Sequence, residues 1–239
     1  MSSVSAIVLD IEGTTTSISF VHEVLFPLSA REIKDHVLKN HQSLPVKDAL
    51  DLLWGNMHPL EKPPLEYSGP QLQLAVETLL SYIAEDKKDT ALKILQGQIW
   101  KSAYEQGKVK SHLYDDVAAQ LMRWHAQNIK LYIYSSGSVE AQQLLFKYTE
   151  AGDLTGILQG YFDTKIGGKK EEQSYIKIAR EIHQDPGQIL FLSDMQPEVA
   201  AASKAGWQVI RIIRPGTKPG SEFTEVADFI SVANLIKIE

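Results

Sequence analysis

With 239 residues, 44% hydrophobic and 23% charged, the chain has apolar material for a sizeable core, as one large domain or a domain with an insert. A formal net charge of −6 argues against a basic nucleic-acid scaffold, although local lysines or a metal ion can still draw an anion into a cleft. Having no cysteine excludes disulfides, thiolate nucleophiles and cysteine-based zinc sites.

No apolar run approaches the roughly 18 residues needed to span a bilayer. The start, Met1-Ser2-Ser3-Val4-Ser5, lacks the basic residues and long apolar stretch of a secretion signal. The expectation is a cytoplasmic protein with no membrane or nucleic-acid partner, and a monomer, since no separate association element stands out.

In chain order, the first element is the strand Ile7-Val8-Leu9, which runs into Asp10-Ile11-Glu12-Gly13-Thr14-Thr15. In a buried parallel strand Asp10 falls at the carboxyl end, where open α/β folds place their ligands. Asp10 and Glu12, through side chains or backbone carbonyls, could share a hard cation such as Mg2+. The alternative is an Asx-turn in which Asp10 bonds its own backbone.

From about Phe20 to Gly107 the chain shows amphipathic segments, Val21–Leu28, Leu72–Ile83 and Ala91–Tyr104, but no convincing strand. A proline-rich passage at residues 59–64 reads as a loop. Strand signals return at Ile129–Tyr134, Ile189–Leu192, Val209–Ile213 and, more weakly, Phe229–Val232. Helical spacing links them: Leu113, Val117, Leu121 and Trp124; Val139, Leu144, Leu145 and Tyr148; Tyr175, Ile178, Ala179 and Ile182; then Pro197 to Ala205, closed by Gly206. The class is α/β, a Rossmann-like parallel sheet flanked by helices, with a helical domain inserted after the first strand. The boundaries are 1–19 and 108–239 for the core and 20–107 for the insert.

Three further strand-end segments carry chemistry. Ser135-Ser136-Gly137-Ser138 offers hydroxyls and backbone N–H groups for a phosphate, or a helix N-cap. Lys165-Ile166-Gly167-Gly168-Lys169-Lys170 offers a cation on a flexible loop, or merely a solvated face. Ser193-Asp194 adds a carboxylate that completes a metal site or caps the next helix, and Glu198 follows four residues on. Taken together they form a phosphoryl-transfer constellation, because a carboxylate approaching a phosphate dianion needs a cation and hydrogen-bond donors on the phosphate oxygens. In that reading Asp10 attacks phosphorus, and Mg2+ sits on Asp10, Glu12 and Asp194. Ser135, Ser136 and Lys169 grip the phosphate, and Glu12 serves as acid and base.

The order and spacing of these residues resemble the haloacid dehalogenase-like superfamily of Mg2+-dependent phosphatases. Leu9-Asp10-Ile11-Glu12-Gly13-Thr14-Thr15 is similar to the first motif of its enolase-phosphatase branch, where glutamate replaces the usual second aspartate. Leu95-Gln96-Gly97 with Trp100, the run from Tyr132 to Gln142 and the run from Tyr161 to Gly167 also resemble branch segments. The likeness extends to about Arg214-Pro215-Gly216. It implies enolisation and then dephosphorylation of 5-methylthio-2,3-dioxopentyl phosphate, in methionine salvage, with one Mg2+ per subunit. It implies metal-site positions at Asp10, Glu12 and Asp194, and substrate-binding positions at Ser135, Ser136 and Lys169, preferred over Lys165 and Lys170. It also makes the insert a cap over the site. The base for enolisation is left open between Glu12 and a cap residue, and so is the part played by Glu198.

Two rivals stand beside this reading: a general sugar-phosphate phosphatase of the same superfamily, and a phospho-accepting signalling module. The latter lacks so large an insert and carries its acid pair and phospho-acceptor on different strands. The seven histidines form no close metal pair. His22 is expected at the surface, and Trp54, Trp100, Trp124, Trp207, Phe20, Val21 and Phe26 in packing.

Overall fold

The computed structural model describes residues 3–238. Contacts divide the chain into two compact units: residues up to Phe20 together with those from Lys110 onward, and Val21–Val109.

The first unit is built on a six-stranded sheet. Its strands are β2 (Ala6–Leu9), β3 (Lys130–Tyr134), β4 (Leu158–Phe162), β5 (Ile189–Ser193), β6 (Gln208–Ile212) and β7 (Glu225–Val226), in the order β4-β3-β2-β5-β6-β7. Every pairing is parallel. Strand β1 (Ser3–Val4) instead pairs with β8 (Lys237–Ile238) in a separate two-stranded sheet. From β2 the chain steps outward through β3 and β4, then returns to the other side of β2 at β5. The direction of winding therefore reverses beside β2, and a crevice at the carboxyl ends of β2 and β5 is the expected ligand site.

The period-2 alternation of a strand explains how both faces are covered. Ile7, Leu9, Leu131, Ile133, Leu190 and Leu192 face one buried cluster with Val117, Leu121 and Trp124 of α5 (Val117–Ala126), Leu145 and Phe146 of α6 (Val139–Lys147) and Phe229 of α9 (Phe229–Leu235). Ala6, Val8, Tyr132, Tyr134, Ile189 and Phe191 face the other, with Tyr175 and Ile178 of α7 (Glu172–Glu181) and Ala201 and Ala202 of α8 (Gln196–Lys204).

Two sequence expectations need correction. Phe229–Val232 is the start of α9 rather than a strand: Asp228 Oδ1 accepts from the Ser231 N–H as an N-cap, and Phe229 and Val232 are buried three apart while Ile230 is exposed. β4 falls where the apolar spacing predicts no strand. It pairs only with β3, its middle is half exposed, and Gly160 sits where a Cβ would press on Tyr132 at 3.3 Å, so it lacks an apolar run.

The second unit is helical, with no strand in it: α1 (Phe26–Asn40), α2 (Leu44–Met57), α3 (Gly69–Ala84) and α4 (Thr90–Glu105), preceded by a π-helical turn at Phe20–Leu25. The proline-rich passage is an irregular connection between α2 and α3. The unit has its own core around Leu50, Leu53, Val76, Leu79 and Leu95. Trp54 and Trp100 pack against this core half-buried, and Trp100 Nε1 donates to Leu25 O and Ser29 Oγ. Trp124 and Trp207 are buried in the first unit, Phe20 and Val21 are buried, and His22 is exposed.

Candidate active site

Asp10 follows β2 directly and is buried. Its backbone N–H bonds Leu192 O, continuing the β2–β5 pairing for one more residue, and its Oδ1 accepts from the N–H of Ile11 at 2.7 Å. Lys169 Nζ lies 2.5 Å from the same Oδ1 and 2.6 Å from Glu198 Oε2, with its side chain 9% exposed. Lys165 and Lys170 are exposed, so of the three lysines in the loop Lys169 is the one brought to Asp10. Burial opposes charge on Lys169, but the two carboxylates against it win and hold its pKa above the ordinary lysine value.

The loop that presents Lys169 is held from below. Tyr134 Oη donates to Gly167 O, Ser174 Oγ to Gly168 O and Tyr175 Oη to Lys169 O, at 3.0, 2.8 and 2.6 Å. Gly167 is required there: its φ is +149°, and a Cβ would collide with Ser174 Oγ.

Asp194 follows β5 directly and is also buried. Its N–H donates to Thr14 Oγ1 at 3.0 Å, while its Oδ1 has no hydrogen-bond partner. Gly13, at φ +73°, lets the carboxylate come down onto the first loop, for a Cβ there would lie 2.5 Å from Asp194 Oδ2. Burial first, and then the charge of Asp10, push the Asp194 pKa up to about 7. Two buried carboxylates at adjacent strand ends, one with an unsatisfied oxygen, form an environment that a cation relieves.

Glu198, on the first turn of α8, is buried and accepts from Lys169 and Ser193. Burial raises its pKa as well. Ser193 Oγ lies 3.1 Å from Asp10 Oδ2 and 2.9 Å from Glu198 Oε2, so its single proton serves one carboxylate at a time. Ser193 and the hydroxyls of Tyr134, Ser174 and Tyr175 received no role from the sequence. The only local signal was a small polar residue ending an apolar strand.

Ser135 is buried at the end of β3, and Ser136 is half-buried beside it. Capping of α6 falls to Ser138, whose Oγ accepts from Ala141 N–H, so neither Ser135 nor Ser136 is the cap. Gln142 Nε2 ties the turn down by donating to Gly137 O and Phe162 O. Glu12 is half-buried, with its backbone bridging to Thr16. Among the described residues, no group of three or more histidine or acidic side chains is gathered to hold an ion. Asp10 and Asp194 nevertheless suit Mg2+, which commonly takes one or two carboxylates and completes its octahedron with carbonyls and water.

Comparison with known proteins shows the family. Residues 4–206 match the haloacid dehalogenase-like hydrolase family, to which the chain belongs. Relatives called enolase-phosphatase E1 occur in Erwinia tasmaniensis, 43% identical over 95% of both chains, and in a Sulfurihydrogenibium species, 48% identical over 89% of both. Among solved structures, the UTR4 protein of Saccharomyces cerevisiae superposes with a TM-score of 0.77 at 33% identity, covering 95% of this chain and 99% of that one. Within the hydrolase family the chain is a member of the enolase-phosphatase E1 group. No helix among the described residues is long and apolar enough to cross a membrane.

Proposed function

We propose that this chain is a Mg2+-dependent enolase-phosphatase that converts 5-methylthio-2,3-dioxopentyl phosphate to 1,2-dihydroxy-5-methylthiopent-1-en-3-one, with Asp10 as nucleophile. The observation that carries the reading is the buried pair Asp10 and Asp194, with Lys169 on the first and an unpartnered oxygen on the second.

Enolisation moves a proton from the carbon that bears the phosphate to Glu12, half-buried in the first loop and the candidate base, while the neighbouring carbonyl oxygen takes up a proton from solvent to become the enol. An Asp10 oxygen then attacks phosphorus and forms an aspartyl-phosphate, while the enol oxygen leaves with a proton from Glu12. Water activated by Glu12 splits that intermediate, releasing phosphate and restoring Asp10. Lys169, Ser135 and Ser136 bind the phosphate oxygens and hold phosphorus in line with Asp10. Asp10 and Asp194, with a contribution from Glu12, would hold the Mg2+, which when bound offsets the charge between carboxylate and phosphate. We take the helical insert, residues 20–107 by the sequence reading, to be the cap that excludes bulk water and receives the methylthio tail. The lack of cysteine accords with a reducing compartment, and we take the working form to be a cytoplasmic monomer.

The test supplies purified protein with Mg2+ and the diketo phosphate, following ultraviolet absorbance of the enol and release of phosphate separately, beside a panel of ordinary phosphoesters. Enol formation followed by phosphate release from the diketone is expected. Release from the panel with none from the diketone would replace this reading with a general phosphatase.

A further inference from the structure

Two buried arginines lie behind the carboxylates, and the reaction outlined above uses neither. Arg211, on β6, donates through Nε to the backbone carbonyl of Asp194 at 2.8 Å, through Nη1 to Glu225 and through Nη2 to Lys218 O. Arg214, just beyond β6, donates through Nε to the carbonyl of Thr14 at 3.1 Å, grips Asp116 with both terminal nitrogens at 2.8 and 2.9 Å, and also reaches Ala227 O. Its guanidinium lies over the Tyr114 ring, 4.2 Å from the centroid.

We infer that Arg211 and Arg214 are positioning residues that lock the Asp194 loop and the Asp10–Thr14 loop in one register and so set the affinity of the site for its metal ion; this rests on the proposed function. Three observations support it. The two loops are already tied to each other by the Asp194 N–H on Thr14 Oγ1, and each arginine takes the carbonyl of one of those same two residues. Register there is tight, because the Asp194 carboxylate occupies the space a Cβ on Gly13 would need. Finally, each guanidinium pairs with a carboxylate outside the site, Glu225 or Asp116, and meets the loops through its Nε on a backbone carbonyl and through no hydrogen bond to the Asp10 or Asp194 carboxylate. A partly buried ion pair of this kind is a poor device for stability alone, since such pairs contribute little and apolar residues commonly replace a buried one at no loss. Apolar residues could not hold those two carbonyls.

The experiment titrates Mn2+ as a paramagnetic probe into wild-type protein, Arg211→Met, Arg214→Met and Asp194→Asn, reading free Mn2+ by electron paramagnetic resonance. Melting in chelator and KM at saturating Mg2+ are measured beside it. Wild type should bind one Mn2+, and Asp194→Asn should lose most of that binding. Each arginine variant should bind roughly tenfold more weakly or worse, as partners behind metal ligands do, with KM near wild type. Unchanged Mn2+ affinity with lowered melting would reduce the arginines to structural props and overturn the inference. Tighter binding would overturn it as well, because it is what removing a nearby positive charge does by Coulomb's law alone. Should a methionine variant fail to fold, Arg211→Lys decides: it keeps the charge but loses the three-way fork, so it must show the same weakening. Wild-type protein that binds no Mn2+ would remove the proposed function itself, and this inference with it.

Discussion

Gly13 shows how much of the site depends on an atom that is not there. Alanine at φ +73° costs about 1–2 kcal/mol in backbone strain, and its methyl would displace the Asp194 carboxylate. Gly13→Ala should therefore lose phosphatase activity by far more than its drop in melting temperature suggests, which paired activity and melting measurements would show. Asp10→Asn keeps the size of the side chain and an acceptor for Ile11 N–H, so the protein should fold normally and release no phosphate. Normal turnover in that variant would remove Asp10 as the nucleophile. For Lys169, the contrast is with its neighbour: Lys169→Ala should raise the inhibition constant of inorganic phosphate, and exposed Lys170→Ala should leave it unmoved. Asp10 and Glu12 were legible as a pair because they follow an apolar run. The choice among three lysines was not legible from composition, since only burial separates them.

At the scale of elements, the loop after β4 and the strand β6 act as platforms. Tyr175→Phe leaves the Lys169 carbonyl without its donor, an expected loss of about 1–3 kcal/mol by urea unfolding, with a weaker grip on phosphate. Glu225 gives a pH signature. Hydrogen bonds from Gly220 and Ser221, aided by Arg211, pull its pKa down from 4.5 to about 2 in the folded protein. A carboxylate whose folded pKa is depressed stabilises fully above the unfolded value and loses that contribution as pH falls through the folded one. The stability gap between wild type and Glu225→Gln should thus be complete above about pH 4.5 and close toward pH 2, as urea titrations at several pH values would report. A gap that widened in acid would contradict the assignment. The interior strands β2, β3, β5 and β6 were readable as apolar runs because both their faces are covered. β4 and α9 are not legible in the same way for the opposite reason: each has one exposed side that breaks the pattern.

Across the whole molecule, the described residues form three buried clusters, one on each face of the sheet and one inside the helical unit Val21–Val109, and the helical cluster shares no residue with the other two. Leu79 is fully buried in the helical core, so Leu79→Ala should destabilise that unit by about 2–5 kcal/mol. Hydrogen exchange should quicken in α1 to α4 and leave the strands around Asp10 protected. Equal loss of protection in both units would mean that they unfold as one.

The sequence by itself determined the class of fold, because that follows from local apolar periodicity, and it marked the strand-end acids and glycines from which the proposed chemistry is built. Only the tertiary structure decided that Lys169 reaches Asp10, that Glu198 and Ser193 complete that network, and that Arg211 and Arg214 hold the loops beneath it. These contacts join residues far apart in the chain. Which partners meet depends on strand order, and strand order leaves no trace in local spacing.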